Sequence, residues 1–118
     1  MKAFLDTNVL LDVLAKRDPF YEDAARIWSL VEKGRIRGLV SAISFTNIYY
    51  IVRKLRDHRT AQRTMVLLRS TFTCIACDGR VLDQAIDADF SDFEDAVQYF
   101  SAVRAEADVL ISRTADHF

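Results

Sequence analysis

The stretch Lys2-Ala3-Phe4-Leu5-Asp6-Thr7-Asn8-Val9-Leu10-Leu11-Asp12-Val13-Leu14 changes character in its middle. Lys2 to Leu5 is a short apolar segment suited to a strand. Asp6, Thr7 and Asn8 then supply helix-capping side chains directly before a second apolar run. The order predicts strand, tight corner and helix, with Asp6 at the carboxyl end of the strand.

The same order continues along the chain. Pro19 is the only proline and follows Lys16-Arg17-Asp18, a break before a helix over residues 21–33 with Ala25, Trp28, Leu30 and Val31 toward the core. Gly34 and Gly38 bracket a turn into a second strand over residues 38–41. A helix over residues 44–56 follows, with Ser44 as its N-cap, then one over residues 60–70 with Met65, Leu67 and Leu68 inward. Residues 71–77 are expected to form a buried third strand, and residues 81–88 a helix. Ser91-Asp92-Phe93-Glu94 matches the capping box that opens a helix carrying Ala96, Tyr99, Phe100 and Val103, and residues 108–112 are expected to form a fourth strand. Strands alternating with helices or helix pairs predict an α/β fold with a parallel sheet covered by helices.

At 118 residues, 51% of them hydrophobic, the chain can bury a core as one domain spanning residues 1–118. Its apolar runs fall far short of the roughly 20 residues that cross a bilayer, and a cytoplasmic protein with no membrane association is expected. Cys74 and Cys77 stand three apart in an extended segment, so they face opposite sides, and unbridged, buried structural cysteines are expected. The net charge of −1 conceals an asymmetry. Residues 31–69 hold nine basic side chains against Glu32 and Asp57, whereas residues 76–108 hold nine acids against Arg80 and Arg104. Such a distribution suits either two solvated helical surfaces or a phosphate-facing surface beside a cation site.

In an open parallel sheet reactive groups gather beyond the carboxyl ends of the strands, where Asp6 is expected. Asp92 and Asp95, three apart in a first helical turn, share a face, so three carboxylates can converge. Like charges in one cleft repel and their pKa values rise unless a cation neutralises them. Oxygen ligands without histidine or thiolate suit Mg²⁺ or Mn²⁺, ions that lower the pKa of a bound water and neutralise a phosphodiester. Taken separately, each acid also has a structural role open to it, capping for Asp6 and helix-dipole complementation for Asp92 and Asp95.

The segment from Phe4 to Asp12 resembles the signature opening of PIN domains. Asp95-Ala96-Val97-Gln98-Tyr99-Phe100-Ser101-Ala102 resembles their later helix, and Ser41-Ala42-Ile43-Ser44 and Ile111-Ser112-Arg113-Thr114 resemble two further family segments. The resemblance implies a three-layer α/β/α PIN-like fold with four or five parallel strands. It also implies a VapC-type toxin of a toxin-antitoxin pair: a Mg²⁺- or Mn²⁺-dependent ribonuclease acting on RNA, forming a homodimer and bound by an antitoxin. Carried over residue by residue, Asp6 and Asp95 hold the metal, with Asp92 assisting as a further metal ligand from the same helical face and Asn47 joining them as a catalytic residue; Asn8, Thr46, Thr114 and Asp116 support the site, with Asp12 a weaker candidate. Asn47, after Thr46, stands where most toxin-type members place a glutamate, as in a subgroup with a Thr-Asn pair. Thr114 and His117 stand where acidic or amide residues are expected, with Asp116 as a neighbouring substitute. The family usually adds one more strand after this segment, whereas this chain stops at Phe118. The alternative implied by these departures is a catalytically weak or inactive PIN-like module that binds RNA or protein.

Overall fold

A computed structural model of the protein describes residues 1–113. The chain runs through β1 (Lys2–Leu5), α1 (Thr7–Leu14), α2 (Tyr21–Glu32), β2 (Arg37–Ser41), α3 (Ala42–Leu55) and α4 (His58–Thr71). It continues through β3 (Thr73–Ile75), α5 (Gly79–Ala88), α6 (Phe93–Arg104) and β4 (Val109–Ile111). All strand pairs are parallel and the order is β3-β2-β1-β4, with Phe4 opposite Leu39 on one side and Leu110 on the other. The predicted α/β architecture is present, with four strands among the described residues.

Alternation along the strands builds the layers. Ala3, Leu5 and Val40 pack with Leu10, Trp28, Ile48 and Leu68 from α1 to α4, whereas Phe4 and Leu39 face Ala102 of α6. Side chains of opposite parity point to opposite faces of a sheet, so a strand buried on both sides is apolar throughout, as β1 is from Ala3 to Leu5. Gly38 is required where β2 passes Phe72: a Cβ there would lie 2.5 Å from the ring, which itself meets Trp28 edge-on with centroids 4.9 Å apart.

The order of strands also places a crevice. From β1 the chain winds outward to β2 and β3, then crosses to the far side of β1 to form β4. The direction of winding reverses between β1 and β4, and at such a switch point the loops leave in opposite directions and open a cleft at the carboxyl ends of the strands. Asp6 follows β1 and Ser112 follows β4, one on each side of that opening.

Several local expectations are corrected. Ser41, not Ser44, caps α3, accepting the Ile43 amide, while Ser44 is fully buried one turn later. Asp92, not Ser91, caps α6. Leu30, Leu67 and Val103 are exposed, and Ala24 takes the buried place expected of Ala25, because each helix turns only a narrow stripe inward. The third strand covers only Thr73–Ile75 of the expected residues 71–77 and forms an outer edge of the sheet, which leaves Cys74 exposed, while Cys77 lies beyond it and is half-buried; both are free thiols. Among the described residues no helix is long and apolar enough to cross a membrane. Thr114, Asp116 and His117, and with them any closing strand, lie outside the described residues.

Candidate active site

Asp6 begins α1 with its backbone, its carbonyl accepting from Val9 and Leu10, but its side chain makes no capping hydrogen bond. A carboxylate in the usual capping position satisfies a backbone amide of the first turn. This one instead stays 2% exposed and accepts a hydrogen bond from the Ser112 hydroxyl at 3.2 Å across the switch point. Burial pushes the Asp6 carboxyl from 3.8 up to about 6; the Asp95 charge adds to the rise and Glu94 adds less, while the Ser112 hydroxyl opposes it. The repulsion anticipated for a carboxylate cluster is therefore present at Asp6.

Two further acids bear on Asp6, both from the first turn of α6. Asp95 is buried at 8% exposure. Glu94 is bridged to the neighbouring helix by Asn47, whose amide donates to the Glu94 carboxylate at 3.4 Å. Asp92 acts differently, because its carboxylate accepts the Asp95 amide at 3.1 Å and so fixes the turn that presents Asp95. Asp6, Asp95 and Glu94 are brought into one electrostatic neighbourhood, and Asp92 is engaged in capping. Glu94 was legible only as part of a capping box, and nothing in its spacing announced a contact with Asn47, 47 residues earlier.

Beneath these acids lies a buried polar junction. The Thr7 and Ser44 hydroxyls are 2.6 Å apart, and the Gln98 amide donates to Ser44 at 3.1 Å and to Thr7 at 3.4 Å. Thr7, Ser44 and Gln98 belong to α1, α3 and α6, of which α1 begins directly after Asp6, α3 carries Asn47 and α6 carries Asp95. A polar group with no access to water is costly unless paired, so these bonds set the mutual position of the three helices. Sequence reading missed this junction; the available signal was Gln98 at three residues after Asp95, on the same helical face.

The remaining candidates are placed as follows. Thr46 is exposed on α3, and Asn8 is exposed at the edge of a groove of about 700 Å³ that Leu11, Leu14 and Leu55 also line. Asp12 is 1% exposed and pairs with Arg17 at 3.4 Å and Arg113 at 3.0 Å, the latter stacked over Phe20 at 4.3 Å. Its role is to tie α1 to the chain after β4, next to Ser112. Among the described residues, no three His, Cys, Asp or Glu side chains form a group spaced to hold a metal ion.

A model of the PIN domain matches residues 2–116, and the chain belongs to the PIN-domain family. Within that family its fold is similar to solved toxin structures. One is VapC20 of Mycobacterium tuberculosis, a toxin that cleaves the sarcin-ricin loop. It is 14% identical with a TM-score of 0.75, over 98% of this chain and 92% of that one. Another is VapBC-1 of nontypeable Haemophilus influenzae, at 15% identity and a TM-score of 0.72 over 100% and 90%. VapBC2 of Rickettsia felis, bound to a promoter DNA fragment, matches at 15% and 0.69 over 98% and 90%. No curated protein matches the chain in sequence.

Proposed function

We propose that the protein is a Mg²⁺- or Mn²⁺-dependent endoribonuclease, the toxin of a toxin-antitoxin pair. The carrying observation is the buried Asp6 carboxyl, raised to about 6 in part by the charges of Asp95 and Glu94. A carboxyl whose ionisation is opposed first by burial and then by neighbouring acids is complementary to a cation. The donor set fits: Mg²⁺ keeps several waters and needs only one or two carboxylates, so a cage of three is not required. Asp6 and Asp95 would hold the ion, which when bound supplies an activated water and neutralises the phosphodiester.

The chain's own residues do the rest. The Ser112 hydroxyl donates to one Asp6 oxygen and so orients the carboxylate. Asn47 carries no charge, but its amide donates to the Glu94 carboxylate at 3.4 Å and so ties that acid to α3. Asp92 holds the helical turn that aims Asp95, and the Thr7, Ser44 and Gln98 junction keeps the opposing helices at a constant separation. In this role Asp92 is a positioning residue. Asn8, Thr46, Thr114 and Asp116 are proposed as supporting groups on the strength of the family resemblance alone.

The toxin assignment, with a homodimer, a protein antitoxin and a cytoplasmic setting, draws on family membership and on the similarity to VapBC complexes. The test is RNA cleavage by purified protein with Mn²⁺ or Mg²⁺, compared with Asp6→Asn and with excess chelator. Equal cleavage in all three would refute the metal site. A module that binds without cutting is the second reading, motivated by the uncharged Asn47 where most toxin-type members place a glutamate. Retention of RNA without products at saturating Mn²⁺ would establish it.

A further inference from the structure

The acids of the site do not explain α3 beyond Asn47. Residues three and four apart are neighbours on a helix, so Tyr50 adjoins Asn47 on one side and Arg53 and Lys54 on the other, a stripe that starts at Glu94 and leads along α3. At 1.5 Å per residue the stripe from Asn47 to Lys54 is about 10 Å long, roughly three stacked nucleotides at about 3.4 Å each. Its centre is an aromatic ring left in water: Tyr50 is 62% exposed.

Tyr50 is nonetheless held. Its ring meets Tyr49 edge-on with centroids 5.2 Å apart, and the Tyr49 hydroxyl is hydrogen-bonded to His58 Nδ1 at 2.6 Å, which anchors it to the start of α4. An exposed aromatic normally retains rotamer freedom that any ligand must remove, and this brace removes part of it beforehand. The surrounding charge is almost wholly positive. Arg53, Lys54 and Arg59 are exposed, and Asp57, the acid of that turn, spends its carboxylate on the Thr60 amide at 2.7 Å. A fixed ring among cations is what an unpaired base and its phosphates recognise: the ring stacks on any base, and the cations follow the backbone without regard to sequence.

We infer that the Tyr50 face of α3 is a subsite for single-stranded RNA flanking the scissile phosphodiester, with Tyr50 stacking on an unpaired base and Arg53 and Lys54 pairing with phosphates. The inference rests on the ribonuclease reading for its ligand, and the experiment separates the two. Binding of a labelled, unstructured oligoribonucleotide is measured by fluorescence anisotropy in chelator, where no cleavage is required. Tyr50→Ala weakens binding about tenfold and Tyr50→Phe preserves it, since a stacked base needs the ring and not the hydroxyl. Heparin, a polyanion without bases, binds wild type and Tyr50→Ala alike. Arg53→Gln lowers the slope of log affinity against log salt by about 0.7. Unchanged RNA binding by Tyr50→Ala overturns the inference, whatever the fate of cleavage. Equal losses for RNA and heparin also overturn it, as does dissociation of a dimer on that substitution, which would assign the face to a second copy. Loss of cleavage activity in the wild type with the Tyr50 effect intact would instead refute only the nuclease proposal.

Discussion

Replacing Asp6 by asparagine is expected to make the metal-free protein more stable while destroying metal binding. The carboxyl is 2% exposed and raised from 3.8 to about 6 by burial first, then by Asp95, with a smaller part from Glu94. Its folded pKa lies above its unfolded value, so the folded state binds the proton more tightly. Stability from this group is complete below about pH 3.8 and is lost as pH rises through about 6. The difference corresponds to about 3 kcal/mol at neutral pH, all of it cost to the ionised protein. Asparagine carries no charge and can still accept from Ser112, so Asp6→Asn is expected to gain about 2 kcal/mol at pH 7.5 in chelator. For a domain of this size that is a rise of about 8 °C in Tm. At pH 5 the gain falls to about half, because the wild-type carboxyl is then mostly protonated. Thermal unfolding of both proteins at the two pH values, with and without Mn²⁺, is the assay. In Mn²⁺ the wild type gains stability and the variant does not. A variant no more stable than wild type at pH 7.5 in chelator would refute the electrostatic account of the site.

Other substitutions probe separate parts of the structure. Gln98→Ala removes the amide that joins α3 and α1 and is expected to cost about 1–3 kcal/mol in denaturant unfolding, with a fall in cleavage rate larger than any change in KM. Gly38→Ala places a Cβ 2.5 Å from the Phe72 ring and is expected to lower stability by about 1–3 kcal/mol; an unchanged midpoint would contradict that contact. Arg113→Met leaves Asp12 with Arg17 alone and is expected to cost about 1–3 kcal/mol, an effect that a double change with Asp12→Asn should largely cancel. Glu94→Gln removes one repelling charge, so the Asp6 carboxyl, followed by NMR titration, is expected to titrate lower, while Mn²⁺ binds more weakly.

Much of the fold was written locally. The switch from an apolar strand to capping side chains at Asp6, the lone Pro19 and the alternation of strands with helices all depend on neighbours within a few residues, and each carried over into the structure. Helix facing did not carry over so well. Leu30, Leu67 and Val103 satisfy a helical period yet lie outside, because a period states that residues share a face and not which face meets the sheet. Cys74 was misread for a related reason: an apolar run suits a strand, but whether it is central or at an edge depends on partners elsewhere in the chain.

The candidate site divides along the same line. Sequence alone placed Asp6 directly after a strand and Asp95 in the first turn of a helix, since both positions follow from capping and periodicity. It did not determine the roles of Asp92 and Glu94, neighbouring acids in one short segment. Only the tertiary structure distinguished them: Asp92 turns back to the Asp95 amide, while Glu94 meets Asn47 from another helix and bears on Asp6. The physical reason is distance along the chain. A cap is a contact between near neighbours and can be read from their types, whereas Ser112 on Asp6, Asn47 on Glu94 and Gln98 on Ser44 join residues separated by 106, 47 and 54 positions. The Ser112 contact exists because the strand order reverses beside β1 and brings β4 back to it, and the other two because α3 and α6 meet in the folded chain, consequences of packing the whole molecule that no short stretch of sequence contains.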